Sequence, residues 1–272
     1  MKKILVPTDF SDNANNALEF AIALAKKNNA SITLLNVYAI PMYDPNMPAE
    51  MLRTSYEDLG NISKEEIKNN LEIFNKKYPD LQIDTLSRMG VLDLEIASTA
   101  TEGKFDCIVM GTQGASGLEE TLIGSNASSV VSKTEIPVFC IPSESKYNEI
   151  AKAVMPVELD GSEMQIINDA RNLLPDCAIH VVNFKTEEER LPDKQQKIFE
   201  NISSACKENE SAKIVISEDV STGLDETLRK YNCDLVIVST VKRNIFENLF
   251  HKSISKKLVC HTHVPLLAIH KK

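Results

Sequence analysis

Four of the chain's nine glycines, Gly111, Gly114, Gly117 and Gly124, fall within fourteen consecutive residues of a 272-residue sequence. An even spread would put about half a glycine in such a window, so the backbone there must approach something closely or take angles that a Cβ disfavours. The cluster opens as the aliphatic run Cys107–Met110 ends, and it closes at Gly124-Ser125-Asn126, where helical spacing begins. Bare main chain leading into a helix N-terminus offers N–H donors and positive potential. That is the chemistry of an anion site, phosphates foremost, with Ser125 adding a hydroxyl donor. The simpler use of the same glycines is to make tight turns, and their spacing matches neither GxGxxG nor GxxxxGKS/T. A second polar pair, Thr8-Asp9, follows the apolar run Ile4–Pro7. Asp9 has two chemical uses: accepting hydrogen bonds from a ribose or an adenine amine, and capping a helix that starts near Ser11.

Something must bring these two segments together, and the hydrophobic rhythm says what. β-rich runs alternate with helix-period segments, the pattern of βα units building a mainly parallel sheet. Strands are expected at Ile4–Pro7, Ser31–Val37, Gln82–Arg88, Cys107–Gly111 and Val138–Pro142. Ala14, Ala17, Leu18, Ala21, Leu24 and Ala25 recur at helical spacing behind Ser11 or Asp12 as N-cap. Further helices are expected over 62–78, with Ile62, Ile67, Leu71 and Phe74 as its apolar face, over 92–103 and over 126–133. Parallel α/β sheets hold ligands outside the carboxyl ends of their strands, which sets Val6-Pro7-Thr8-Asp9 beside the glycine segment. The insertion Ala39–Gly60, with Pro41, Pro45 and Pro48, reads as a surface loop and a candidate lid.

The sequence also repeats. Asp106–Pro142 aligns with Asp234–His270 without a gap at an offset of 128 residues, pairing Thr112 with Thr240, Ser125 with Ser253 and Pro137 with Pro265. Upstream, KKILVPTDFS resembles KAVMPVELDG, and SITLLNV resembles AIHVVNF. Two domains are expected, 1–145 and 150–272, meeting in Ser143–Ile150. The second copy replaces Thr8 and Asp9 with Val157 and Glu158, and Gly111, Gly114 and Gly124 with Ser239, Lys242 and Lys252. Side chains then stand where bare backbone was needed, and the second site is expected to be vestigial. Lys242, Arg243 and Lys252 could instead draw an anion by side chain, against the plainer reading of solvated lysines.

Hydrophobic residues at 43% and charged residues at 25% describe ordinary globular cores and exclude low-complexity classes. A net charge of −9 opposes nucleic-acid binding, although residues 242–272 hold seven basic side chains against one acid. No apolar run is long enough for a membrane span, and MKKILVPTDF turns polar too early for a signal peptide. The six cysteines are dispersed without a CxxC pair and read as reduced thiols of a cytoplasmic protein. His251, His261, His263 and His270 crowd the C-terminus beside Cys260, but they lack the paired ligand spacing of tetrahedral zinc, and no metal site is assigned.

With these residues in view, the chain resembles a tandem universal stress protein. ILVPTDFSDNANNALEFAIALAKKNNASITLLNVY is similar to that family's opening strand–helix–strand, and Gly111-x2-Gly114-x9-Gly124-Ser125 to its adenine-nucleotide motif. The resemblance implies two doubly wound α/β domains with five-stranded mainly parallel sheets, paired as an intrachain pseudo-dimer, with a further homodimer left open. It implies ATP as ligand, Mg2+ as its companion, and neither nucleic acid nor membrane as partner. Carried over, Pro7, Thr8 and Asp9 face the nucleoside and Val37 offers backbone to adenine. Met110 and Gly111 flank the ribose, and Gly114, Gly124, Ser125 and Asn126 hold the phosphates. No catalytic residue is assigned, because the segment 111–126 carries no Lys, Arg or His to clamp a transferring phosphate. A nucleotide-binding stress regulator is therefore expected ahead of a slow ATP hydrolase, an adenylyl transferase or a ligand-free scaffold.

Overall fold

A computed structural model describes residues 1–39, 49–112, 124–147, 149–187, 190–240 and 264–271. Strands β1 (Lys3–Pro7), β2 (Ser31–Tyr38), β3 (Ile83–Met89), β4 (Cys107–Gly111) and β5 (Val138–Ile141) alternate with helices α1 (Asp12–Asn28), α2 (Ala49–Lys77), α3 (Leu92–Glu102) and α4 (Ser125–Lys133). The chain continues through β6 (Lys152–Pro156), α5 (Glu163–Leu173), β7 (Ala178–Lys185), α6 (Asp193–Ala205), β8 (Ser211–Ile216), α7 (Val220–Tyr231), β9 (Leu235–Thr240) and β10 (Leu266–His270).

All ten strands lie in one sheet, ordered β3-β2-β1-β4-β5-β10-β9-β6-β7-β8. Pairing is parallel within each set of five. The sets meet where β5 and β10 run antiparallel, with Leu267 opposite Phe139. Both sets therefore use the same strand order about the β5–β10 joint.

The eight inner strands are apolar on both faces, as a sheet covered on both sides requires, whereas the outer strands β3 and β8 are partly exposed. Ile4 and Val6 point to one face, where they pack with Leu18, Ile22 and Phe74 of α1 and α2. Leu5 points to the other face, against Ile96 of α3 and Val130 of α4. Right-handed crossovers dictate this division, because the chain winds outward through β1, β2 and β3, then crosses back to β4 and β5. In the second set α5 and α6 share the face of α1, and α7 shares that of α3 and α4.

The strand expectations are met to within a residue, and the described residues between β5 and β6 carry neither helix nor strand. Two readings of the second helix are corrected. It begins at Ala49, so 49–60 is helix rather than loop, while 40–48 lies outside the described residues. Its apolar face is also shifted: Ile62 is 55% exposed, whereas Ser63 is 4% and Asn70 8% exposed. The side chains buried toward the sheet are thus Ser63, Ile67, Asn70 and Phe74, half of them polar.

Cys107, Cys140, Cys177 and Cys233 are free and buried, and Cys206 is free and half-buried. Burial pushes the Cys140 thiol up to about 12. Among the described residues no helix is long and apolar enough to cross a membrane.

Candidate functional site

The strand order reverses at β1. The chain leaves β1 toward β2 and returns from β3 to β4 on β1's other side, and sheets of this kind open a crevice at such a point, here the carboxyl ends of β1 and β4. The described ends of the glycine segment, Gly111 and Gly124, lie there with the Thr8–Asp9 turn. Their residues come from three places: the turn after β1, the end of β4 and the start of α4.

Three polar groups of Thr8 are held. Its N–H donates to Leu35 O at 2.8 Å, its carbonyl oxygen accepts from Asn36 Nδ2 at 2.8 Å, and its hydroxyl oxygen accepts from Phe10 N at 3.0 Å. Phe10 takes a left-handed φ of 64° to close this turn. Pro7 and Thr8 are buried and Asp9 is exposed. Asp9 Oδ1 accepts from Ser11 N at 3.1 Å and Ser11 Oγ at 2.6 Å, and Ser11 Oγ in turn accepts from Ala14 N at the start of α1. Asp9 thus supports the helix cap at one remove, and Ser11 is the cap itself.

On β4, the Met110 side chain is 5% exposed and packs among Ile108, Ile96 and Val130. It has main chain alone to offer a ligand. Gly111 follows because α1 crosses there: a Cβ would lie 2.6 Å from Asn13 Nδ2 and 3.1 Å from the Asn13 carbonyl oxygen. Thr112 N donates to Ile141 O, and Gly124 N donates to Thr112 O at 2.6 Å. The Gly124 amide is therefore turned to the protein, so that what Gly124 can offer a ligand is bare backbone rather than its N–H. Gly124 is the bare N-cap of α4, with no side chain among the described residues bonded over that end, and Ser125 and Asn126 are exposed beside it. A helix start of this kind keeps its first-turn N–H groups and partial positive charge directed outward. Val37 is half-buried near the end of β2. Gly114 and Gly117 lie outside the described residues.

Asn13 and Asn36 are residues that the motif reading passed over. Asn36 did leave a signal, a polar residue in the apolar run LLNV that recurs as Asn183 in VVNF.

The second set of strands repeats the frame. Val157 N donates to Val182 O, Asn183 Nδ2 donates to Val157 O at 2.8 Å, and Leu159 has a φ of 59°. Its turn is filled differently. The buried Glu163 carboxylate accepts from Asp160 N and Gly161 N, each at 2.8 Å, where the first set has Ala14. Asp160 pairs with Lys271 at 2.5 Å. Burial works against its charge, but hydrogen bonds from Lys271 and Ser162 prevail and hold it down to about 2. Ser239 is on β9, whereas Lys242, Arg243 and Lys252, with His251, Cys260, His261 and His263, fall outside the described residues. His270 is buried on β10. Among the described residues no group of three or more His, Cys, Asp or Glu could hold a metal ion.

Strand order, crossover faces and a crevice at the reversal point define a doubly wound α/β protein, here with its five-strand frame present twice. Residues 1–142 match the model of the universal stress protein family, and the chain belongs to that family. Universal stress protein MJ0531 of Methanocaldococcus jannaschii is 36% identical over 151 residues, covering 53% of this chain and 84% of that protein. MJ0577 of the same organism is 30% identical over 152 residues, covering 52% and 94%. Over the whole chain, the crystal structure of a universal stress protein from Archaeoglobus fulgidus has a TM-score of 0.66 at 15% identity, covering 99% of this chain and 96% of that one, a likeness of fold.

Proposed function

We propose that the protein is a cytoplasmic regulatory protein that binds ATP at the β1–β4 crevice, with residues 1–145 as the competent domain and 150–272 as a degenerate copy. The observation that carries this reading is the start of α4, which no side chain among the described residues caps, held at the carboxyl edge of β4 by the Gly124–Thr112 hydrogen bond. Outward amides and a positive helix end suit the phosphates, and the Ser125 hydroxyl and Asn126 amide add donors. Gly111 keeps that edge free of a side chain. The exposed Asp9 carboxylate is an acceptor for ribose hydroxyls or the adenine amine, and main chain at Val37 and Met110 completes the nucleoside contacts. Pro7 and Thr8 form the wall between them. Gly114 joins this set as a phosphate contact on the strength of its spacing. Mg2+ would arrive with the phosphates rather than on dedicated carboxylates.

The vestigial reading of the second copy rests on its sequence, which has Val157, Glu158 and Ser239 where the first has Thr8, Asp9 and Gly111. Titration calorimetry of the full chain with ATP tests the proposal: about one site per chain is expected, and either no binding or two equivalent sites contradicts it.

A further inference from the structure

Of the two polar side chains that α2 buries, Asn70 donates to Asn15 Oδ1 of α1, and Ser63 belongs to a line of hydrogen bonds that ends at the turn after β1. Ser63, on α2 and 4% exposed, donates through Oγ to Asn36 Oδ1 at 2.7 Å, and Asn36 Nδ2 donates to Thr8 O at 2.8 Å. Ser63 and Ser87 of β3 are also 2.7 Å apart. A serine has one hydroxyl proton, and that of Ser63 goes to Asn36, so Ser87 must be the donor to Ser63. The donor order is therefore fixed as Ser87, Ser63, Asn36 and finally the Thr8 carbonyl. Chains of this kind polarise in one direction, and each member orients the next.

The last link sets a peptide plane. Thr8 directs both its N–H and its carbonyl toward β2. In a planar trans peptide the following N–H points the opposite way, so the Asp9 N–H is turned toward the β4 side, where the crevice opens. Were the Asn36 amide to rotate, its oxygen would face the Thr8 carbonyl and the link would fail.

The second set of strands supplies an internal comparison. Asn183 still donates to Val157 O, so the tie between the two strand ends is kept. The hydroxyls are not. Ser87 stands in register with Asn36, whereas Ile214 stands in register with Asn183, and Asn183 Oδ1 is buried without a hydrogen-bond partner among the described residues. The asparagine belongs to the frame of both sets. In the second set, where Glu163 takes the Asp160 and Gly161 amides, the register position of Ser87 is apolar.

We infer that Ser63, acting through Asn36, is a positioning residue for the crevice, linking helix α2 to the Thr8–Asp9 peptide and thereby setting nucleotide affinity. This rests on the nucleotide reading of the crevice given above. Helix α2 is also the element the chain enters directly after residues 40–48, so a shift of that helix is felt at the ligand through a hydrogen-bond line rather than through apolar packing alone.

The test compares the full chain with Ser63→Ala and Ser63→Thr by three measurements: ATP affinity, ligand-free melting temperature, and ligand-free amide hydrogen exchange over residues 8–10. The expected result is that Ser63→Ala weakens ATP binding about fivefold or more and speeds exchange over 8–10, while Ser63→Thr restores both to within about twofold. A Ser63→Ala protein that melts lower but keeps its affinity and its exchange over 8–10 overturns the inference and leaves the nucleotide reading standing. Loss in both variants alike also overturns it. Should the unaltered chain bind no ATP, the nucleotide reading falls separately and exchange over 8–10 decides: acceleration in Ser63→Ala reversed in Ser63→Thr supports the positioning role, and unchanged exchange overturns it.

Discussion

The N–H of Gly124 donates to the carbonyl oxygen of Thr112 at 2.6 Å, so the chain leaving β4 returns to within one hydrogen bond of its point of departure. This tether fixes the start of α4 at the carboxyl edge of β4. It also separates two roles that a glycine can play at a helix start. The Gly124 amide anchors, and the helix proper begins with the next residue.

Replacing Gly124 with Asp should move stability and binding in opposite directions. Gly124 has φ −60° and ψ 161°, angles open to any residue. An aspartate there caps the helix and complements its dipole, adding about 0.5 kcal/mol to stability in urea unfolding. The same carboxylate takes the amides assigned to phosphate and repels it, lowering ATP affinity about tenfold or more in calorimetry.

Gly111→Ala should instead weaken the fold. The added Cβ would stand 2.8 Å from Asn13 Cγ and 3.1 Å from the Asn13 backbone oxygen, so the first turn of α1 must move. A loss of about 1–3 kcal/mol is expected in urea unfolding.

The sheet was legible in the sequence because strands buried on both faces leave continuous apolar runs, and the repeat gave the second set from the first. Helix α2 was less legible. Three prolines between 41 and 48 suggested a loop as far as Gly60, yet Pro48 stands directly before the first helical residue, a place where proline's missing N–H does no harm. The same helix buries Ser63 and Asn70 and exposes Ile62 and Ile73, so its apolar periodicity points partly the wrong way. At the site, the glycine spacing located the helix start correctly. The direction of the Gly124 amide could not be read from it, since that depends on where Thr112 comes to lie in three dimensions.

Asp160 should make the second set of strands sensitive to acid. Its carboxyl is held down to about 2 in the folded chain, so its contribution is present above the ordinary carboxylate value of about 4 and is lost as pH falls through about 2. Asp160→Asn should therefore unfold at lower urea than the unaltered chain at neutral pH, and the difference should close as pH falls from about 4 to about 2.

Two ion pairs should differ sharply on truncation. Arg171 meets Glu210 with side chains 18% and 1% exposed, and its guanidinium also donates to Ala205 O. Lys27 meets Glu149, which is 72% exposed. Arg171→Ala leaves the buried Glu210 carboxylate without its cation, held by the Lys207 and Ile179 amides alone, and should cost about 3 kcal/mol in urea unfolding. Lys27→Ala should cost less than about 1 kcal/mol.

The central claim is that main chain at the start of α4 holds a nucleotide in the first set of strands and in no other place. Heat denaturation of freshly purified protein, followed by identification of the released small molecules by mass, tests it most directly. The account predicts an adenine nucleotide at about one per chain, absent from the Gly124→Asp variant. Release of two per chain, or equal release from that variant, would contradict it.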